Sequence, residues 1–227
     1  MEERLEVKMI NKEDLTRDMG IAINEWDKVK LIALVTEGIQ AGFTPFVIAN
    51  EILVPTLQKA CREIDSHDIT FPELVLLADT IKAALDLLVP QIKTSLSGGK
   101  EKGRVVIGTV KGDIHDLGKT LVAAIFQSGG FRVVDLGRDV STKDFITAAK
   151  KEKAQIVAAS TLMTPTLFYM EELVREIRAR KMKVKTIIGG WATSPEFAQR
   201  IGANAWAEDA LEGLFKLDRL IQELGDE

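Results

Sequence analysis

Two histidines, His67 and His115, and one cysteine, Cys61, are the whole supply of imidazole and thiol in this 227-residue chain. Any imidazole chemistry must use one of two positions. His115 stands in the run Gly112-Asp113-Ile114-His115-Asp116-Leu117-Gly118-Lys119. An aspartate two residues before a histidine can accept a hydrogen bond from one ring nitrogen. That bond fixes the tautomer and makes the other nitrogen a stronger donor to a metal. The same pair also occurs as an ordinary loop histidine beside a carboxylate, so Asp-x-His alone does not decide between the two. His67, between Asp65 and Asp68, reads as solvated loop, and Cys61 as a packed helix residue. A single cysteine excludes an intramolecular disulfide and a cysteine-based zinc cluster, and suits a reducing compartment.

Two more clusters have chemical potential. Ser160-Thr161-Leu162-Met163-Thr164-Pro165-Thr166 is rich in hydroxyls, although Thr164 before Pro165 also reads as a plain helix N-cap. Gly189-Gly190-Trp191-Ala192-Thr193 is either a tight turn or a place where a ligand lies against bare backbone. Trp191 suits packing on such a ligand or lining the mouth of its pocket.

The elements that must position these clusters follow from the rhythm of residues 104–227. Apolar, β-branched runs at Arg104–Val110, Phe131–Val134, Ile156–Ala159, Val184–Ile188 and Ala203–Ala207 are separated by helical intervals, the first from about Asp116 to Gln127. Strands alternating with helices predict βαβ units, a parallel sheet and helices on both faces. The expected fold is α/β: an N-terminal helical bundle, then a flavodoxin-like, doubly wound sheet of five parallel strands. Ligands of such sheets bind at the carboxyl ends of the strands, near the point where strand order reverses. All three clusters fall on that edge.

Residues before the sheet read as helical. Apolar positions recur by threes and fours from Trp26 to Ile39. Thr44 and Pro45 form an N-cap and first turn for a helix carrying Val47, Ile48, Ile52 and Leu57, with a kink at Pro55. A third helix runs from Phe71-Pro72-Glu73-Leu74 to Pro90, and together they make a small bundle. The glycines and lysines of Ser97–Gly103 mark a linker, dividing the chain into 1–97, 98–103 and 104–227.

Composition narrows the classes. With 46% hydrophobic residues the chain is globular, and a net charge of −4 gives no basic field for nucleic acid. No apolar run approaches the length of a membrane span, and the charged start is no secretory signal, so a cytoplasmic setting is expected. Neither Gly-x-x-x-x-Gly-Lys-[Ser/Thr], nor Gly-x-Gly-x-x-Gly after the first strand, nor Gly-x-Ser-x-Gly occurs. A phosphorelay receiver would need an aspartate where Ser160 and Thr161 stand.

Asp113-x-His115-x-x-Gly118, then Ser160-x-Leu162, then Gly189-Gly190, resembles the signature of cobalamin-binding domains, and Val134-Asp-Leu-Gly137 extends it. The helical half resembles the cap module of corrinoid proteins and of methionine synthase. The resemblance implies a corrinoid cofactor, cobalamin or methylcobalamin, bound base-off with His115 as the lower cobalt ligand. Asp113 would hold that imidazole, and Thr166 stands where the family has a serine continuing the relay. Gly112, Ile114, Asp116 and Leu117 complete the histidine loop. Ser160 and Thr164 would contact the displaced nucleotide tail, Leu162 of the Ser-x-Leu motif would also belong to the cofactor site, Gly118, Gly189 and Gly190 would keep the tail's channel open, and Ala210 would lie near its end. Ile64, Phe71 and Leu74 would cover the upper face of the corrin, positions that equally suit bundle core.

By the same resemblance the chain is a methyl carrier and not a catalyst alone. It accepts a methyl group on cobalt(I) from a donor-specific methyltransferase and yields it from methyl-cobalt(III) to a second methyltransferase using tetrahydrofolate or a thiol. Methyl ethers, methylamines, methanol or betaine are the implied donors, and an ATP-dependent reductive activator the implied third partner. No nucleic acid or membrane partner is implied. A small subunit of an adenosylcobalamin mutase would share the histidine loop without needing a cap. A cobalamin light sensor would need a basic DNA-binding module, and the residues before Trp26 are mixed in charge.

Overall fold

The structure, a computed structural model, describes residues 10–57, 59, 71–94 and 101–225, with side chains at 71, 72, 74, 93 and 94 outside the description. Cys61, Ile64, His67 and the side chains of Phe71 and Leu74 therefore lie outside the described residues, as do residues 98–100 of the expected linker. The chain forms two compact units, Met1–Gln91 and Ile92–Glu227.

In the first unit α1 spans Lys12–Asn24, an element that the sequence reading does not include. Asn11 caps it by accepting from the Asp14 N–H (2.8 Å), and Leu15, Met19, Ala22 and Ile23 bury one stripe. Helix α2 is Lys28–Gln40, capped by Asp27. Trp26, expected at the head of that helix, lies instead in the intervening turn at φ +53°. Helix α3 begins at Pro45–Val47 under the expected Thr44 cap (3.2 Å) and continues as a π-helical segment, Ile48–Leu53. The kink expected at Pro55 takes this form. Proline offers no N–H and its ring collides with the carbonyl four residues back, and the wider π turn before it relieves that collision. Helix α4 is Phe71–Thr94 and runs through Pro90, where the sequence reading ends it. Its Leu77, Ile81, Ala84, Leu85 and Leu88 are buried at the spacing of one helical face.

The second unit is the expected doubly wound domain. Strands β1 (Arg104–Thr109), β2 (Arg132–Asp135), β3 (Ile156–Ser160), β4 (Lys185–Gly189) and β5 (Ala205–Ala207) pair in parallel in the order β2-β1-β3-β4-β5. Between them lie α5 (Leu117–Ser128), α6 (Thr142–Glu152), α7 (Leu167–Ala179) and α8 (Pro195–Ile201), with α9 (Ala210–Gly225) last. The apolar residues of β1 and β3 alternate between two cores. Val106, Val157 and Ala159 join Phe145, Met170, Leu173 and Ile177 on one face. Val105, Ile107, Ile156 and Ala158 join Phe126, Leu217 and Leu220 on the other. Burial on both faces is why these strands read as continuous apolar runs. Strand order reverses between β1 and β3, so a crevice opens where their carboxyl ends part. No helix among the described residues is long and apolar enough to cross a membrane.

Candidate functional site

The loop after β1 is fixed from two sides before it reaches His115. The hydroxyl of Thr109, the last residue of β1, donates to the His115 carbonyl (2.9 Å). From the loop after β2, Asp139 accepts from the Gly112 N–H (2.7 Å) and its own N–H donates to the Asp113 carbonyl (3.0 Å). Asp139 adopts the left-handed region at φ +56°, a conformation unusual for a side chain with a Cβ. Gly112, at φ +81°, passes so close to Thr166 and Tyr169 that a Cβ there would sit 3.2 Å from the Thr166 methyl.

At the centre is the Asp113 carboxylate, with no solvent exposure. Oδ1 accepts from the His115 N–H (2.9 Å) and lies 2.7 Å from His115 Nδ1. Oδ2 accepts from the Thr161 hydroxyl (2.7 Å) and the Leu162 N–H (2.7 Å). Burial pushes this carboxyl up, but the hydrogen bonds outweigh it, Thr161's first, and hold the group below the usual aspartate range. An ionised carboxylate at that distance accepts a hydrogen bond from Nδ1 and so favours the tautomer with its proton there. No described residue bonds Nε2, and the ring is about half exposed (49%) at the carboxyl edge of the sheet.

A depressed carboxyl makes stability pH-dependent with a definite sign. The unfolded aspartate titrates near about 3.9, and the folded group below that. Asp113's contribution is therefore fully present above about pH 4 and lost as pH falls through the lower folded value. Denaturant titrations from pH 6 to pH 2 are expected to show a shallower acid loss of stability in Asp113→Asn than in the parent. Parallel curves would remove this carboxylate from the acid-sensitive set.

The other clusters converge as expected, with one rearrangement. Ser160 pairs with Gly189 at the ends of β3 and β4. Thr161, wholly buried, stands between Asp113 and Thr166: its Oγ1 is 2.5 Å from the Thr166 Oγ1, which also lies 2.8 Å from the Met163 carbonyl. Thr166, expected to continue the relay, reaches Asp113 only through Thr161. Thr161 is the Asp113 partner that sequence reasoning missed, because it fills the unspecified position of Ser-x-Leu. Thr164 is exposed and caps nothing; it lies inside the short 3-10 turn Thr164–Thr166 that leads into α7.

Gly190 takes φ +108° with its Cβ direction 2.1 Å from the Thr161 carbonyl oxygen, so only glycine fits. Its carbonyl accepts from the Thr193 N–H (2.9 Å) and hydroxyl (2.7 Å), and the Trp206 indole N–H donates to that same hydroxyl oxygen (2.8 Å). Ala210 is the buried first residue of α9. A second interaction without a sequence signal pins α5 to β2: the buried Lys119 ammonium lies 2.5 and 2.6 Å from the two Asp135 oxygens.

These residues fit a corrinoid. The donor set is one oriented imidazole, and no group of three His, Cys, Asp or Glu able to hold a metal occurs among the described residues. That suits a metal whose other positions a macrocycle fills. Ile114 beside the histidine, Leu162 after β3 and Trp191 after β4 are exposed apolar side chains, 64%, 43% and 56% respectively. A Cβ on Gly118 would meet nothing within 4 Å, leaving the first turn of α5 open beside the loop.

Comparison with known proteins agrees. Residues 103–215 match a family described as a B12 binding domain, and residues 15–89 match a second family of the same description. Fold and site thus define a B12-binding protein of two modules. Trimethylamine corrinoid protein 1 of Methanosarcina mazei is 33% identical over 212 residues, covering 92% of this chain and 98% of that protein. The structure of the Methanosarcina barkeri monomethylamine corrinoid protein superposes with a TM-score of 0.86 at 25% identity, covering 92% of this chain and all of that one. A chain of the methanol:cobalamin methyltransferase complex of the same organism gives a TM-score of 0.53 at 27% identity, over 94% of this chain and 82% of that one. The chain belongs to the cobalamin-binding corrinoid proteins of methyltransferase systems. It is a methyl-carrier corrinoid protein.

Proposed function

We propose that this carrier takes its methyl group from a methylated amine and that His115 is the lower ligand of its cobalt. The observation that carries the ligand assignment is the buried Asp113 carboxylate 2.7 Å from His115 Nδ1, which leaves Nε2 free at the open edge of the sheet. Support for the donor class comes from the relatives that match over nearly their whole length and are named for trimethylamine and monomethylamine.

When bound, the corrinoid supplies the cobalt centre on which a methyl group is carried. The protein's part is to hold, orient and shield. Asp113 keeps the proton on Nδ1, so Nε2 is presented as a neutral donor; Ile114 and Leu162 offer apolar contact beside it. Ser160 and Thr164 would contact the nucleotide tail, Gly118, Gly189 and Gly190 would keep its channel open, and Ala210 would lie near its end. The partners are a donor-side methyltransferase, an acceptor-side methyltransferase using tetrahydrofolate or a thiol, and an ATP-dependent reductive activator, in the cytoplasm.

The donor is tested with the full chain reconstituted with hydroxocobalamin and kept reduced. Methylation is followed by absorbance while trimethylamine, dimethylamine, monomethylamine or methanol is offered, each with its own methyltransferase. Methylation by an amine pair is expected. Methylation with the methanol pair alone overturns the donor assignment and leaves the ligand assignment standing.

A further inference from the structure

We propose that Asp139, in the loop after β2, is a positioning residue that clamps the main chain of the histidine loop, so that His115 stays in place whether or not a metal is bound. This rests on the ligand assignment above. The first observation is the backbone of Asp139. Among the described residues, Trp26, Asp139, Lys153 and Lys181 are the residues other than glycine with positive φ. Lys153 caps α6, Lys181 follows the C-cap of α7, and Trp26 lies in the turn between α1 and α2, so three of the four belong to helix ends or helix connections. Asp139 closes no helix. Glycine would take φ +56° freely, whereas a residue with a Cβ is held there by its surroundings.

Those surroundings are the start of the histidine loop. Val110, Lys111, Gly112 and Asp113 form a turn closed by the Asp113 N–H donating to the Val110 carbonyl (3.2 Å), with Gly112 in third place at φ +81°. The turn itself does not use the Gly112 N–H, and Asp139 Oδ1 accepts it at 2.7 Å. The Asp139 N–H donates to the Asp113 carbonyl at 3.0 Å, so one residue grips the turn by side chain and by main chain together. Its neighbours anchor the grip. The Thr109 N–H donates to the Gly137 carbonyl (3.0 Å), the Val140 N–H to the Thr109 carbonyl (3.0 Å), and Val110 bridges to Val140. Asp139 is exposed, and surface substitutions seldom change stability by much. What the clamp governs is the freedom of the loop, in which Gly112, Ile114 and His115 are all exposed and few apolar contacts restrain the chain. A ligand that is in the binding conformation for only a fraction of the time binds more weakly by that fraction. The clamp leaves the donor strength of the ring alone and keeps the ring where a returning metal bond needs it.

Asp139→Gly removes the carboxylate and adopts the same backbone without strain, and Asp139→Asn keeps an acceptor oxygen on a residue that tolerates the left-handed region. In the full chain without cofactor, hydrogen exchange at the His115 amide is the probe, because that N–H donates to Asp113 and does not touch Asp139. Exchange there is expected to quicken by about tenfold in Asp139→Gly, the low end of the effect of groups that support a metal ligand. It should return to the parent rate in Asp139→Asn. In the chain loaded with methylcobalamin, the ratio of imidazole-ligated to unligated cofactor, read by absorbance, should fall by the same factor in Asp139→Gly and recover in Asp139→Asn. The urea midpoint and retention of the cofactor on a desalting column should stay as in the parent. Unchanged exchange at His115, an unchanged ratio, no recovery in Asp139→Asn, or a urea midpoint that falls in step with both readouts overturns the proposal. Failure of the ligand assignment is separately visible: the ligated spectrum would then survive His115→Ala, while exchange in the cofactor-free chain would still report on the clamp.

Discussion

His115→Ala, loaded with hydroxocobalamin, is expected to lose the absorbance signature of an imidazole-ligated cobalt while still retaining the cofactor through a desalting column. The retention follows because Gly118, Ser160, Gly189 and Gly190 are untouched and the loop keeps its backbone anchors. Thr109 still donates to the carbonyl of residue 115, and Asp139 still brackets Gly112 and Asp113. Asp113 also keeps three donors: the residue 115 N–H, Thr161 and Leu162. Residues that merely support a metal ligand cost 10- to 100-fold when removed, so losing the ligand itself should lower methyl transfer by about 100-fold or more. Spectra matching the parent protein across oxidation states would show that the ligand is another group.

Gly190→Ala is expected to give the largest loss of stability of any single methyl added on this edge. A non-glycine residue at φ +108° is strained by about 1–3 kcal/mol. Its Cβ would also fall 2.1 Å from the Thr161 carbonyl oxygen, a backbone atom that yields only if β3 and β4 move apart. Overpacking of that kind adds about 1–3 kcal/mol. Together the cost is about 4 kcal/mol, a large part of the 5–15 kcal/mol that holds an ordinary domain. Urea titration should show a lower midpoint with unchanged slope. Gly118→Ala is the control: its Cβ meets nothing within 4 Å inside a helix, so stability should hold or rise slightly. Equal losses from the two alanines would mean that Gly190 is not held against Thr161.

Much of the architecture was legible because it depends on periodicity. Residues buried on both faces of a parallel sheet leave unbroken apolar runs, so β1, β3 and β4 could be read directly. β5 is only three residues at an edge and left a faint mark. Once the strands are parallel, the histidine, hydroxyl and glycine clusters must share one edge, whatever their separation in the chain. Legibility failed where local rules were overridden. α1 is buried through four residues set among charges, and its stripe is hidden by the company it keeps. Pro90 looks like a stop, yet α4 carries on past it, since the apolar face continues to Ile92. Pro55 looks like a kink and is absorbed by a π turn.

The sequence by itself determined the helical unit, the parallel sheet, and the presence of an imidazole beside an aspartate at the edge where ligands of such sheets bind. Only the tertiary structure decided which hydroxyl meets that aspartate. Thr161 and Thr166 are chemically alike and five positions apart, and no spacing rule distinguishes them. The choice is made by contact between three segments distant in the chain: Gly190 admits the Thr161 backbone, and the loop after β1 brings Asp113 to its hydroxyl. Hydrogen bonds select partners over a few tenths of an ångström, and separations that fine exist only once the strands have paired.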